Sequence, residues 1–212
     1  MATLHSKAVR FYMKLKLWEL SLLIALVVTL LWGTLLDQRQ QELSDRMIRL
    51  HVLAHSDTEI DQMLKYHIRD EVRALVEPLI SASPDRESAE AKIRAHLDEI
   101  HALASASLAA DVPLQATLSR ESSPTRAYET FTLPAGFYTT LRIEIGEAEG
   151  QNWWCVVFPP LCLDAVTGVN TLEDLGFDDI EVALLTGEGN GISIRFWALE
   201  RLEHLRARFR YP

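Results

Sequence analysis

The longest feature of the hydropathy pattern is an uncharged run from Leu20 to Leu36, built mostly of Leu, Ile, Val and Ala. As a helix it covers roughly 25 Å, close to the thickness of a bilayer core, and Leu15 and Leu17 can extend it. Lys7, Arg10, Lys14 and Lys16 precede it, opposed only by Glu19, and Asp37, Arg39, Glu42 and Asp45 follow. That asymmetry predicts a basic cytoplasmic segment over 1–14 and a body on the outside, with Trp18 and Trp32 near the two interfaces. The exit, Trp32-Gly33-Thr34-Leu35-Leu36-Asp37, has no small-x-small cleavage signature. The expectation is therefore a retained signal anchor over 15–36, with a cleaved signal peptide as the alternative. Residues 37–45 read as a polar stalk.

Beyond the stalk the period changes repeatedly. Ile48, Leu50, Val52 and Ala54 alternate with Arg49, His51, Leu53 and His55, which predicts a half-buried strand whose histidines are exposed. Ser56-Asp57-Thr58-Glu59 reads as a capping box that opens a helix with an apolar face of Ile60, Leu64, Ile68, Leu75, Val76 and Leu79. Ser83-Pro84-Asp85 opens a second helix, with Ser83 as cap and Ile93, Leu97, Ile100, Leu103 and Leu108 as its stripe. After Pro113 the period is two. Strands are predicted from Leu114, from Tyr138 to Ile145, and from Asn152 to Phe158, the last pairing back across the Gly146–Gly150 turn. A glycine turn at 187–191 precedes a final strand, Ile192 to Trp197. Helices first and strands later predict an α+β fold, two N-terminal helices layered on a mostly antiparallel sheet, preceded by one transmembrane or signal helix. The extracytoplasmic domain is placed at 46–198, with a basic extension at 199–212.

Composition narrows the function classes. The 212 residues are 48% apolar with a formal net charge of −9, which excludes disorder and the basic footprint of nucleic-acid binding. His51 and His55 lie on one face of a strand but have no third metal ligand at motif spacing. The glycines of 187–191 lead into a strand rather than a helix, so they make no phosphate nest. Hydrolase motifs of the Gly-x-Ser-x-Gly and His-Glu-x-x-His kinds are absent. No catalytic, cofactor-binding or metal-binding residues are predicted, and no small-molecule substrate.

Two features point to partner recognition instead. Trp153 and Trp154 are adjacent on a strand, so they face opposite ways; helices on both sides would bury the pair, and an uncovered one would anchor an interface. The helix face of Asp61, Lys65 and Arg69 is the second candidate, although a solvated charged face is its cheaper explanation. Cys155 and Cys162 flank Pro159-Pro160, a turn that can bring them together in an oxidising compartment. Two buried free thiols are the other reading.

The run Gly150-Gln151-Asn152-Trp153-Trp154-Cys155-Val156-Val157-Phe158-Pro159-Pro160-Leu161-Cys162 resembles the stage II sporulation protein R family. So does the block from Arg49 to Val72, with Ser56, Asp57, Asp61, Gln62, Leu64, Lys65, Arg69 and Asp70 in place. Pro124-Thr125-Arg126, Tyr128, Leu133-Pro134-Ala135-Gly136 and Tyr138 continue the likeness, which covers roughly 46–164. His55 departs from it by standing where an Asn is expected, and the C-terminal extension departs by being basic and helix-like. The resemblance implies a signalling protein rather than an enzyme. Such proteins are exported from the forespore into the intermembrane space, where they trigger a membrane-bound aspartic-type protease of the mother cell. That protease processes the early mother-cell pro-sigma factor. A cell-envelope hydrolase and a passive envelope adaptor or scaffold are the alternatives from other classes.

Overall fold

The computed structural model describes residues 2–128, 131–161 and 169–186. The chain forms two compact units, Met1–Gln41 and Glu42–Pro212. Helix α1 runs over Ala2–Asp45. Its segment from Leu17 is long and apolar enough to cross a membrane, and the side chains from Leu17 to Leu35 are exposed. Ser21 and Thr29 donate their hydroxyls to the carbonyls of Leu17 and Ala25, so even the polar side chains of this stretch are satisfied within the helix.

The second unit is built on a four-stranded sheet of order β2-β5-β1-β6. These strands are β1 (Ile48–Leu53), β2 (Leu114–Ser123), β5 (Gly136–Ile145) and β6 (Asn152–Phe158). A separate two-stranded ribbon, β3 (Arg126–Ala127) and β4 (Thr132–Leu133), lies between β2 and β5 in the chain. Strand β1 pairs parallel with β5 and antiparallel with β6, and β2 pairs antiparallel with β5. The fold is α+β with a mostly antiparallel sheet, as the periodicities predict.

Three details differ from the sequence reading. Strand β6 does not pair back on β5 across the 146–150 turn, because β1 lies between them. The turn is therefore a crossover past the end of β1 and not a tight hairpin. The strand β1, expected to be half-buried, is buried at all six positions, since it is paired on both edges and covered on both faces. The second predicted helix is two, α3 (Arg86–Ala95) and α4 (Leu97–Ala106), which meet at His96 with φ −107 and ψ 13.

Cap chemistry explains where the helices start. Helix α2 (Glu59–Ile80) is capped by Thr58, whose side chain accepts the Asp61 N–H. Ser56, the expected cap, instead accepts the Thr58 N–H and donates to the Asp61 carboxylate. Helix α3 is capped by Asp85 rather than Ser83, with the Ser88 N–H as donor at 2.7 Å. The buried stripe of α2 is Lys65, Ile68, Val72, Val76 and Ile80, so Ile60, predicted on the apolar face, is 73% exposed.

The sheet carries a core on each face. Ile48, Leu50 and Val52 of β1 join Ile143, Ile145, Cys155 and Val157 and the stripes of α2, α3 and α4 in the larger one. The smaller one gathers Leu43, Met47, Phe131, Leu133, Tyr138, Val156 and Leu161 with residues of α5 (Val169–Asp174) and α6 (Asp179–Thr186). Leu43 belongs to the expected stalk, yet it is fully buried there. The glycine turn at 187–191, the strand at 192–197 and the extension at 199–212 lie outside the described residues.

The crossover is held against the end of β1 by backbone bonds from Glu149 to the His55 carbonyl and from Gly150 to the Ala54 carbonyl. A Cβ at Gly150 would lie 2.3 Å from the Ser56 carbonyl oxygen and 2.9 Å from Ala54 Cβ. Only the absence of a side chain permits that approach. Gly150→Ala should therefore cost about 1–3 kcal/mol of unfolding free energy, read as a lower urea midpoint at unchanged slope.

Candidate functional site

The tryptophan pair and the start of α2 carry the polar features worth weighing. Below the end of β1, the Asp57 carboxylate accepts the Gln151 N–H at 2.8 Å, and Gln62 Nε2 donates to the Ser56 carbonyl at 2.9 Å. Lys65 Nζ donates to Gln62 Oε1 at 2.6 Å and to the Gln151 carbonyl at 3.0 Å. His55 Nδ1 accepts the Glu147 N–H at 3.0 Å, an acceptor role that an Asn amide oxygen could fill equally well. These residues form one joint between β1, α2 and the crossover.

Two of the three predicted helix-face residues belong to that joint. The Asp61 carboxylate accepts from Ser56, and this bond, followed by the one from Thr58, holds its pKa below the ordinary value. Lys65 is 1% exposed, and burial followed by the nearby Arg69 charge lowers its pKa. The solvated-face reading of Lys65 is thereby corrected. A lysine on the strand-facing side of a helix can be buried when its ammonium reaches acceptors at the rim. Arg69 is different. It pairs with Asp70 and stacks over the rings of Tyr66 and Trp153, each with its centroid 4.9 Å from the guanidinium carbon.

Trp153 and Trp154 do take opposite faces, because they stand opposite Val52 and His51 of β1. Trp153 packs at the edge of the larger core beneath Arg69, and both are partly exposed. Tyr66 lies under the Arg69 guanidinium, and Met63 and Ile60 precede it on the exposed side of the first turns of α2; the three are 42%, 59% and 73% exposed. The sequence reading weighed Trp153 and Arg69 as separate candidates, whereas the fold joins them in one patch. Ile60 fits the stripe of Ile68, Val72 and Val76 by spacing, so its exposure had no local signal, whereas Met63 falls off that stripe and was missed.

Trp154 lies on the other face, half-buried and stacked on His51 with ring centroids 3.5 Å apart. His51 is 4% exposed, not on the surface as expected. Its Nε2–H donates to Asn152 Oδ1 at 2.8 Å. Burial, reinforced by the charges of Arg142, Arg49 and Arg126 and only partly opposed by the Asn152 bond, lowers its pKa to about 4. Arg49, its neighbour along β1, is also fully buried.

A cavity of about 550 Å³ opens elsewhere, lined by Asp45, Arg46, Asp85, Arg86, Glu87 and Arg120 among others. Its acids are largely engaged. Asp45 pairs with Arg120 at 2.6 Å and Asp85 caps α3, while Arg46 pairs with Glu181 at 2.6 Å. Among the described residues no group of three or more His, Cys, Asp or Glu is placed to hold a metal ion. Cys155 is buried in β6 at 3% exposure. Cys162 lies outside the described residues, and their pairing is taken up below as a prediction.

The geometry thus defines an α+β body, adjoining an apolar helix of membrane-crossing length, whose polar residues serve joints and an aromatic surface patch. A family profile described as stage II sporulation protein R matches residues 44–167. Stage II sporulation protein R of Bacillus subtilis (strain 168) is 40% identical over 121 residues, covering 56% of this chain and 54% of that protein. The match thus spans about half the length of that relative. The chain belongs to the stage II sporulation protein R family. No solved structure matches it.

Two predictions follow from this geometry. His51 has a folded-state pKa of about 4 against an ordinary value near 6.5, so only the unfolded chain binds its proton between those limits. Stability from this group is complete above about pH 6.5 and is lost as the pH falls toward 4, by up to about 1.4 kcal/mol per pH unit. Urea melts at pH 7, 5.5 and 4.5 should show that slope, and His51→Gln should flatten it. For the cysteines, the expected outcome is a Cys155–Cys162 bond in the exported protein. Mass analysis after thiol alkylation without reductant should find neither cysteine labelled, and two labelled cysteines would mean free thiols.

Proposed function

We propose that the body of this protein is an intercompartmental signal of sporulation. Exported from the forespore and held at the membrane by α1, or released from it, it activates a membrane-bound aspartic-type protease of the mother cell. That protease then removes the pro-sequence from the early mother-cell sigma factor. Membership of the family over 44–167 is the observation that carries this reading. The basic residues ahead of the apolar run of α1 support the outward orientation of the body.

The contact face we assign is the patch of Ile60, Met63, Tyr66, Arg69 and Trp153. Tryptophan, tyrosine, arginine and methionine are the side chains most enriched at the centres of protein interfaces. Here Arg69 lies over both the Tyr66 and Trp153 rings, so the conformations of these three are already restricted before binding, with Met63 one turn before Tyr66 on α2. Rigid side chains lose less entropy on association. A ligand activates only by binding the active receptor more tightly than the inactive one, so the patch must favour the active form.

The test is full-length protein reconstituted in vesicles with the receptor protease and its pro-sigma substrate, scored by cleavage. Wild type should induce cleavage. Tyr66→Ala removes an exposed ring and should lower the apparent affinity at least about 30-fold, with little change in thermal midpoint. Absence of cleavage with folded wild type would sink the signalling assignment. Binding without induced cleavage favours the adaptor reading, and substrate turnover without the receptor favours the hydrolase. Cleavage with unchanged affinity in Tyr66→Ala and Arg69→Ala would move the contact face elsewhere.

A further inference from the structure

The second face of the sheet encloses a positive charge that no carboxylate among the described residues balances. Arg49 is 0% exposed, and its Nε, Nη1 and Nη2 have no hydrogen-bond partner among the described residues. Its guanidinium carbon lies 4.5 Å from the Trp154 ring centroid and 5.1 Å from that of Tyr138. Those rings stabilise the cation through their faces and leave its N–H edge to other groups. Arginine does not shed its proton in proteins, so the charge persists although burial lowers its pKa. A buried cation without an anionic partner is among the costliest groups a fold can enclose.

The surroundings of Arg49 supply further donors and no described acid. Arg126 holds its guanidinium carbon 5.7 Å from the Trp154 ring centroid, and its Nε is enclosed without a partner. The Tyr128 hydroxyl faces Arg49 and counters the effect of burial as a hydrogen-bonding neutral group, although the contact falls short of good hydrogen-bond geometry. Trp154 Nε1 has no partner among the described residues. Tyr128 is itself fixed by stacking on Phe131, with centroids 4.6 Å apart. The two described carboxylates that β2 and β5 carry on this face are committed elsewhere. Glu121 and Glu144 both accept from Arg142, and Glu121 also accepts from Ser119.

We propose that this cluster is a binding site for a carboxylate group, received on the N–H edge of Arg49 and closed over by Arg126 and Tyr128 of the β3–β4 ribbon. The edge of a guanidinium offers parallel N–H bonds that match the two oxygens of a planar carboxylate. The aromatic walls favour a flat anion over a tetrahedral one. The site is independent of the receptor assignment above, since it lies on the sheet face opposite the Trp153 patch.

Full-length protein in nanodiscs is melted in sodium acetate, sodium phosphate and sodium chloride at matched ionic strength. Acetate should raise the midpoint by a few degrees along a saturating curve, and chloride should not. Arg49→Met should abolish the response and melt higher than wild type without added anion, because an uncompensated buried charge has gone. Arg126→Gln should shift half-saturation about tenfold, and it decides the matter if Arg49→Met does not fold. N-acetylglycine, which mimics a peptide terminus, separates the sources. Response to it as well as to acetate marks a site open to a polypeptide's carboxyl end, and response to acetate alone marks a small-acid site. No saturable response to acetate, the same response in Arg126→Gln, or a response to phosphate only would overturn the proposal.

Discussion

Hydrogen bonding on both edges of β1 is the constraint on which the body depends. A strand between two others and under helices or loops on both faces has no solvent side. The alternation of Ile48, Leu50 and Val52 with Arg49 and His51 therefore does not separate inside from outside. It separates two interiors. One is the apolar layer under α2, α3 and α4. The other is an aromatic layer in which Arg49, His51, Tyr138 and Trp154 stack on one another.

The end of β1 passes this order to the rest of the molecule. Ala54, His55 and Asp57 are bonded to the crossover at 147–151, and Lys65 ties α2 to the same segment. The crossover leads directly into β6, so fixing it also sets the register that places Trp153 under Arg69. The motif residues at 56–65 therefore act as positioning residues. The patch they support touches the joint through Lys65, whose ammonium lies 4.6 Å from the Tyr66 ring centroid.

Period and turn chemistry made most of the elements legible. Strand β6 was legible end to end, because Gly150 and Pro159 bracket it, and the long apolar run of α1 was equally plain. Strand order was not, since alternation says which face a residue takes and nothing about which strand lies beside it. A crossover with glycines looks locally like a hairpin. The same limit hid the burial of Arg49 and His51, for polar residues at alternate positions normally mean a solvent face. Cap positions slipped by two residues at both helix starts, because Ser56, Thr58, Ser83 and Asp85 are all competent caps and only the tertiary path chooses among them. Within the candidate site, residue types pointed to Trp153 and Arg69. Their adjacency depends on the crossover, which no local pattern encodes.

The sequence distance between β1 and its partners has a consequence for how the chain assembles. Ile48 pairs with Thr139 on one side and with Phe158 on the other, so the strand made first is completed last. While α2, α3 and α4 can form from local contacts, β1 must wait for a long stretch of chain to arrive before either edge is closed. An open strand of that kind is a template for pairing with other molecules. Charged side chains within it discourage such pairing. Arg49 and His51, which burden the finished fold, are in this light the residues that keep the waiting strand from aggregating.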